Sequence, residues 1–229
     1  MLTIVAAGEG EVIGDAPDRR VEILSDDDTL HATWSRFAPG RSGADLHVHR
    51  RHTDLFYVLE GELTVRLGAR GEGVVVPAGT LVRVPPLVVH GFRNGGEREV
   101  RYLNLHAPGR GFADYMRSLR DGSPITYDQY PPPPDGGRSA SEVVFASGGP
   151  LLADVEEIRV AVLRTGAEAE PAQAQHVESF YVLEGELALT VGGSELRAQR
   201  GAWVQLQPVT AYAIGPAPAR VLHLRTPGR

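Results

Sequence analysis

Cysteine is absent from the 229 residues. Its absence excludes disulfides and thiolate metal sites, so any transition-metal centre has to be built from imidazole, carboxylate and water. A basic leader is missing too: Met1 to Gly10 holds a short apolar run and no Lys or Arg, which argues against a signal peptide. No segment approaches the ~20 consecutive apolar residues of a membrane span. A cytoplasmic protein with no membrane partner is the expectation. Nor is positive charge in excess. Lys and Arg number 23 against 29 Asp and Glu, a net charge of −6, so the chain gives no ground for nucleic-acid binding.

What the chain does have is a repeat. Phe56-Tyr57-Val58-Leu59-Glu60-Gly61-Glu62-Leu63 returns letter for letter as Phe180-Tyr181-Val182-Leu183-Glu184-Gly185-Glu186-Leu187. The two copies sit 180 − 56 = 124 positions apart, so the length divides into two similar domains. Boundaries are expected at 1–125 for the first, 126–140 for a linker, and 141–229 for the second. The linker reading rests on prolines 131–134 followed by Asp135-Gly136-Gly137, a stiff spacer and then a flexible joint.

Short strands punctuated by Gly and Pro fill the first copy. Residues 19–24, 30–37, 46–50, 54–59, 63–67, 74–76, 81–84, 88–92 and 100–105 all read this way, at roughly even spacing, with 46–50 expected to pair with 54–59. Such spacing indicates an all-β barrel or sandwich. Gly111–Arg120 is the helix candidate. Phe112, Tyr115, Met116 and Leu119 share one stripe, which is expected to cap the open end of the first barrel. The second copy replays the strands at 158–163, 179–183, 187–191, 203–206, 211–214 and 221–224. Both copies end on Pro-Gly-Arg.

The chemistry concentrates just before the first octapeptide. His47 and His49, two apart on a strand, project from one face and can converge on one ion. Asp54 lies across a turn, where the next strand can return it to the same interior. His90, after Val84-Pro85-Pro86-Leu87-Val88-Val89, is placed to add a third imidazole. His52 shares the parity of Asp54 but sits at the turn, where solvent exposure is expected. Tyr102, Asn104 and His106 alternate along the last strand of the copy and can line a pocket or support the ligands. Trp34 and Phe92 read as core or pocket wall.

These residues carry a resemblance. His47-x-His49, four residues, Asp54, six residues and Gly61 are similar to the first cupin motif, with Asp in place of the family's Glu. Gly79, Pro85, His90 and Asn94 are similar to the second. The resemblance implies a tandem jelly-roll protein whose first barrel holds one divalent transition ion (Fe, Mn, Ni, Co or Zn) on His47, His49 and His90, with Asp54 as ligand or catalytic base. Two-domain cupins such as quercetin dioxygenase suggest an oxidation of a small aromatic or enol molecule. Sugar-nucleotide epimerases and small-acid decarboxylases share the fold, and a non-catalytic ligand sensor is the alternative. In the second copy the same offset places Pro171, Gln173 and Glu178, with Tyr212 opposite His90 and His176 opposite His52. That half is expected to be metal-free and to cover the flank of the first as a partner subunit would, leaving the chain monomeric or homodimeric.

Overall fold

A computed structural model describes residues 1–167 and 171–227. Residues 168–170 and the closing Gly228-Arg229 lie outside them. In chain order the first strands are β1 (Leu2–Val5), β2 (Glu11–Ala16), β3 (Arg19–Asp26), β4 (His31–Phe37) and β5 (Thr53–Glu60). Next come β6 (Glu62–Leu67), β7 (Glu72–Pro77), β8 (Leu81–Val84), β9 (His90–Arg93) and β10 (Val100–Ala107). Helix α1 (Phe112–Arg120) and β11 (Val144–Ala146) follow. The second half holds β12 (Leu151–Asp154), β13 (Arg159–Arg164), β14 (Ala172–Gln173) and β15 (Val177–Val191). It closes with β16 (Ser194–Gln199), β17 (Trp203–Leu206), β18 (Ala211–Ile214) and β19 (Ala219–Thr226). The architecture is all-β, a tandem jelly roll with one short helix after the first barrel.

Contacts divide the chain into residues 11–148 on one side and 1–10 with 149–229 on the other. Both limits differ from the boundaries at 125 and 141. β1 forms a four-rung antiparallel ladder with β17, Leu2 opposite Leu206 through Val5 opposite Trp203, so the N-terminal strand completes a sheet of the second repeat. The stretch read as a linker is built into the first barrel. Tyr130 exchanges both backbone hydrogen bonds with Val48, Arg138 N donates to the Leu87 carbonyl, and β11 pairs with β8. The four prolines offer no N–H to a ladder, but the residues flanking them do.

In the unit of residues 11–148, a seven-stranded sheet runs β11-β8-β5-β10-β4-β3-β2 and a three-stranded sheet runs β7-β6-β9. Phe56 and Val58 from the larger sheet pack with Leu63 and Val65 from the smaller, and Val82, Val100 and Tyr102 join them in one core. Burying each such apolar side chain stabilises the fold by roughly 1.5–3 kcal/mol. In the other unit Phe180, Val182, Leu187 and Leu189 occupy the matching core positions, with Val204 and Val221.

The glycine of the octapeptide has a physical reason in both copies. Gly61 and Gly185 each sit at φ 74. A Cβ there would lie 2.4 Å from the Glu99 carbonyl oxygen in one and 2.2 Å from the Pro218 carbonyl oxygen in the other. Only glycine combines positive φ with so close a backbone approach. Both turns sit beside a register shift, between Arg101 and Tyr102 and between Val182 and Glu184.

One strand expectation fails. Residues 46–50 do not pair with 54–59 as a hairpin. His47 instead exchanges backbone bonds with His90 at 2.8 and 2.9 Å, and Val48 with Tyr130. The segment is therefore stitched between β9 and residue 130, which brings two halves of the motif face to face. α1 does what its stripe implies: Phe112, Tyr115, Met116 and Leu119 all line the barrel cavity. On its outer side Arg117 pairs with Glu11 and Asp26 at 2.7 Å, tying the helix to β2 and β3.

Candidate metal centre

Six of the eight histidines of the chain, His31, His47, His49, His52, His90 and His106, are buried in the first barrel. Among them His47, His49 and His90 meet Asp54, with one ligand atom from each lying within 4.8 Å of all the others. The bridge between residues 47 and 90 delivers two of the imidazoles. His49 follows two residues on, and Asp54 enters from the second position of β5, opposite Val84 on one side and His106 on the other.

The tautomers follow from the backbone. His47 Nδ1 donates to the Asp45 carbonyl at 2.6 Å, His49 Nδ1 to the Asp128 carbonyl at 2.5 Å, and His90 Nδ1 to the Val88 carbonyl at 2.9 Å. A carbonyl only accepts, so each Nδ1 carries the proton and each Nε2 presents a lone pair. Those lone pairs face acceptors. His47 Nε2 and His49 Nε2 are 3.1 Å apart, and His90 Nε2 lies 3.1 Å from Asp54 Oδ2. Lone pairs so close, to one another or to a carboxylate oxygen, repel unless a cation sits among them. A proton is disfavoured on the first pair: burial, followed by the charge of His90, pushes His47 down to about 4. Burial and the neighbouring His52 and His106 hold His49 well below its usual value. Three outward Nε2 atoms and one carboxylate oxygen form a donor set suited to a divalent transition ion.

Asp54 is held for this geometry. Its Oδ1 accepts from Asn104 Nδ2 at 2.5 Å and lies 3.3 Å from His106 Nε2, while Oδ2 faces His90 at 3.1 Å and His49 at 3.8 Å. Burial alone would push the carboxyl up, but the charge and hydrogen bond of His106 outweigh it and hold Asp54 well below the carboxylate range. A carboxylate so stabilised is a poor proton acceptor and a good anionic ligand.

His52, expected at the solvent, is buried at 2% exposure. It stacks on His106 at 4.5 Å and approaches the Asp128 carboxylate at 3.1 Å. Burial and the charge of His106 push it down to about 2, so it stays neutral. Tyr102, Asn104 and His106 face the cavity, as does Phe92. Trp34 does not; it occupies the other face of β4 from the cavity-lining Thr33, Ser35 and Phe37. Sequence reasoning missed Asp128, Tyr127 and His31. Asp128 accepts from the backbone N–H groups of Arg50 and Arg51 at 3.0 and 2.8 Å, and its carbonyl fixes His49.

The second barrel gives its carboxylate to protein donors. Glu178 Oε2 accepts from Tyr212 Oη and pairs with His223 Nε2, both at 2.8 Å, with Arg225 Nε at 3.5 Å. Gln173 and His176 are exposed. His223, which no motif flagged, is the partner that His176 is not.

A family model described as a cupin domain matches residues 33–106, the stretch that contains His47, His49, Asp54 and His90. Residues 33–106 belong to the cupin superfamily. The urease subunit beta of Mycobacterium sp. (strain KMS) is 36% identical over 106 residues, 45% of this chain and 88% of that one. Among solved structures, protein YlbA from E. coli superposes with a TM-score of 0.72 at 11% identity, covering 100% of this cupin and 91% of YlbA. The pirin YhhW from Escherichia coli in complex with nickel(II) gives 0.69 at 14%, covering 100% of both chains. A variant of salicylate 1,2-dioxygenase from Pseudoaminobacter salicylatoxidans gives 0.62 at 14%, covering 90% of this chain and 76% of that one. At these identities the structural likeness speaks for the fold. Among the described residues, no helix is long and apolar enough to cross a membrane.

Proposed function

We propose that this cupin is a metal-dependent enzyme, of dioxygenase type, that acts on a small aromatic or enol molecule in its first barrel. His47, His49 and His90 hold one divalent transition ion, and Asp54 completes the set through Oδ2. The observation that carries the reading is the pair of bare Nε2 atoms of His47 and His49 at 3.1 Å, both rings fixed with Nδ1 turned away. A bound ion there supplies a Lewis acid or redox centre with open positions for an oxygen-bearing substrate. The residues do the rest. Asn104 and His106 fix Asp54 so that one oxygen remains for the centre, and Phe92, Tyr102 and Phe112 line the cavity beside it.

The test is metal reloading after chelation. The full chain, stripped and offered Fe(II), Mn(II), Ni(II), Co(II) or Zn(II) in turn, retains about one ion. The Co(II) form shows ligand-field bands that shift when His47 or His90 is replaced. Oxygen uptake with phenolic and enolic acids in the Fe(II) form then separates an oxygenase from a ligand sensor. Retention of no ion, or retention unchanged after replacing all three histidines, overturns the reading.

A further inference from the structure

One cavity of about 220 Å³ runs from His47, His49 and Asp54 to Arg19 at the start of β3. Its size lies just under the ~300 Å³ at which ordinary small-molecule pockets begin, which fits a compact ligand and not a nucleotide. Asp54 is the only acidic residue along its wall. Arg19 differs from the arginines around it. Arg20 is paired with Asp15 and Glu22, Arg36 with Glu99, Arg41 with Asp18, and Arg117 with Glu11 and Asp26. Arg19 makes no side-chain hydrogen bond or ion pair among the described residues, and its Nε is shut off from water without a partner. A guanidinium is a strongly favoured partner for a carboxylate, which it grips with two parallel bonds.

The space for that guanidinium is built. A Cβ at Gly14, on the neighbouring strand, would lie 2.8 Å from its terminal nitrogen and 3.2 Å from Cζ. Between Arg19 and the histidines aromatic rings share the walls with Thr33, Ser35 and Asn104: Phe37 meets Phe92 at 6.1 Å and Tyr102 at 5.4 Å. The register sets the length. Arg19 stands opposite Phe37, whereas Asp54 shares its row with His106 and His31. From residue 31 to residue 37 is about 20 Å of strand, part of it bridged by the arginine side chain itself.

We propose that Arg19 is the anion-binding end of the substrate pocket, so that this cupin takes an elongated aromatic or arylalkyl carboxylate whose acid group pairs with Arg19 while its far end reaches the histidine centre. The substrate class rests on the metal-enzyme reading only for that far end. The acid-binding end stands on Arg19 alone. An acid of two or three carbons is too short to serve both ends.

The test uses benzoate, phenylacetate, 3-phenylpropionate and 4-phenylbutyrate against their primary amides, with binding to the full chain followed by titration calorimetry, both metal-loaded and stripped. At least one acid should bind roughly tenfold to a hundredfold more tightly than its amide, the scale of one lost charge-assisted bond. Arg19→Met should abolish the preference and Arg19→Lys should keep part of it. Gly14→Ala, which displaces the guanidinium without removing it, should weaken the preference, so the conclusion does not depend on one variant folding. Acid and amide binding equally, none of the four acids binding, or an undiminished preference in Arg19→Met overturns the proposal. Metal content is measured in the same samples. An absent acid preference with the ion retained sinks this inference alone, and an absent ion with the preference intact sinks the metal reading alone.

Discussion

Removing the Asp128 carboxylate is a sharp test of how the proposed metal centre is held together. Asp128 reaches the His-x-His segment in two ways. Its carbonyl takes the His49 Nδ1 proton, and its carboxylate takes the backbone N–H groups of Arg50 and Arg51 and approaches His52 Nδ1 at 3.1 Å. Asp128→Ala keeps the first and deletes the second. The two N–H groups lie at an exposed turn and regain water, so each lost bond costs about 1 kcal/mol and not the full penalty of a buried orphan. His52 is different: it is buried, and losing its partner frees it to turn against His49, whose ring lies 4.0 Å away. Partners that orient metal ligands are typically worth 10- to 100-fold in metal affinity. Asp128→Ala should therefore cost roughly 2–3 kcal/mol of stability and weaken metal binding about tenfold. Asp128→Asn, which keeps one acceptor for the turn, should recover part of both. Competition against a chromophoric chelator gives the affinity, and thermal unfolding gives the stability. Unchanged affinity in a less stable Asp128→Ala protein would refute the reasoning, because it would make Asp128 a turn residue only.

His49→Ala should strip most of the bound metal by opening the site to water, whereas His176→Ala, at an exposed position, should leave the content nearly unchanged; elemental analysis after identical chelation and reloading decides it, and the reverse pattern places the site in the wrong barrel. Gly61→Ala forces a Cβ to 2.4 Å from the Glu99 carbonyl at φ 74, so it should cost roughly 1–3 kcal/mol or more by denaturant melt. Burial pushes the Glu178 carboxyl up, but the bonds from His223 and Tyr212 and the charge of Arg225 hold it below its ordinary 4.5. The stability it confers is full above 4.5 and drains as pH falls through the folded value, so Glu178→Gln should flatten the acid limb of the stability curve below about 4.5. An unchanged acid limb refutes the assignment.

The sequence made the barrels legible because the octapeptide and the alternating strands are local signals. The clustering of His47, His49, Asp54 and His90 was legible in part because two-residue spacing fixes which face a strand residue uses. What stayed hidden depended on long-range contacts. Asp128 lies in a stretch whose prolines and glycines announce a linker, and nothing in its neighbours marks a strand bridge to Val48. β1 is four residues long, and its partner lies some two hundred positions away. His52 looked solvated because turns usually are, but Asp128 and His106 close over it. His223 belongs to no motif; only the ladder of β15 with β19 brings it beside Glu178.

The two barrels solve one electrostatic problem differently. Each buries a carboxylate at the same step of its repeat, and an ionised carboxylate in an apolar interior needs compensation. The last strand supplies part of it in both. Asn104 stands opposite Phe56 and His106 opposite Asp54; His223 stands opposite Phe180 and Arg225 opposite Glu178. In the second barrel Tyr212, at the place of His90, donates a hydroxyl proton, and the account closes on protein donors. In the first, Asn104 and His106 serve only Oδ1 of Asp54. Oδ2 is left facing the Nε2 atoms of His90 and His49, whose rings donate through Nδ1 to the Val88 and Asp128 carbonyls. Pro171, Gln173 and Tyr212 stand where the first copy has His47, His49 and His90, so the carboxylate of the second barrel meets protein donors where that of the first meets imidazole Nε2 atoms.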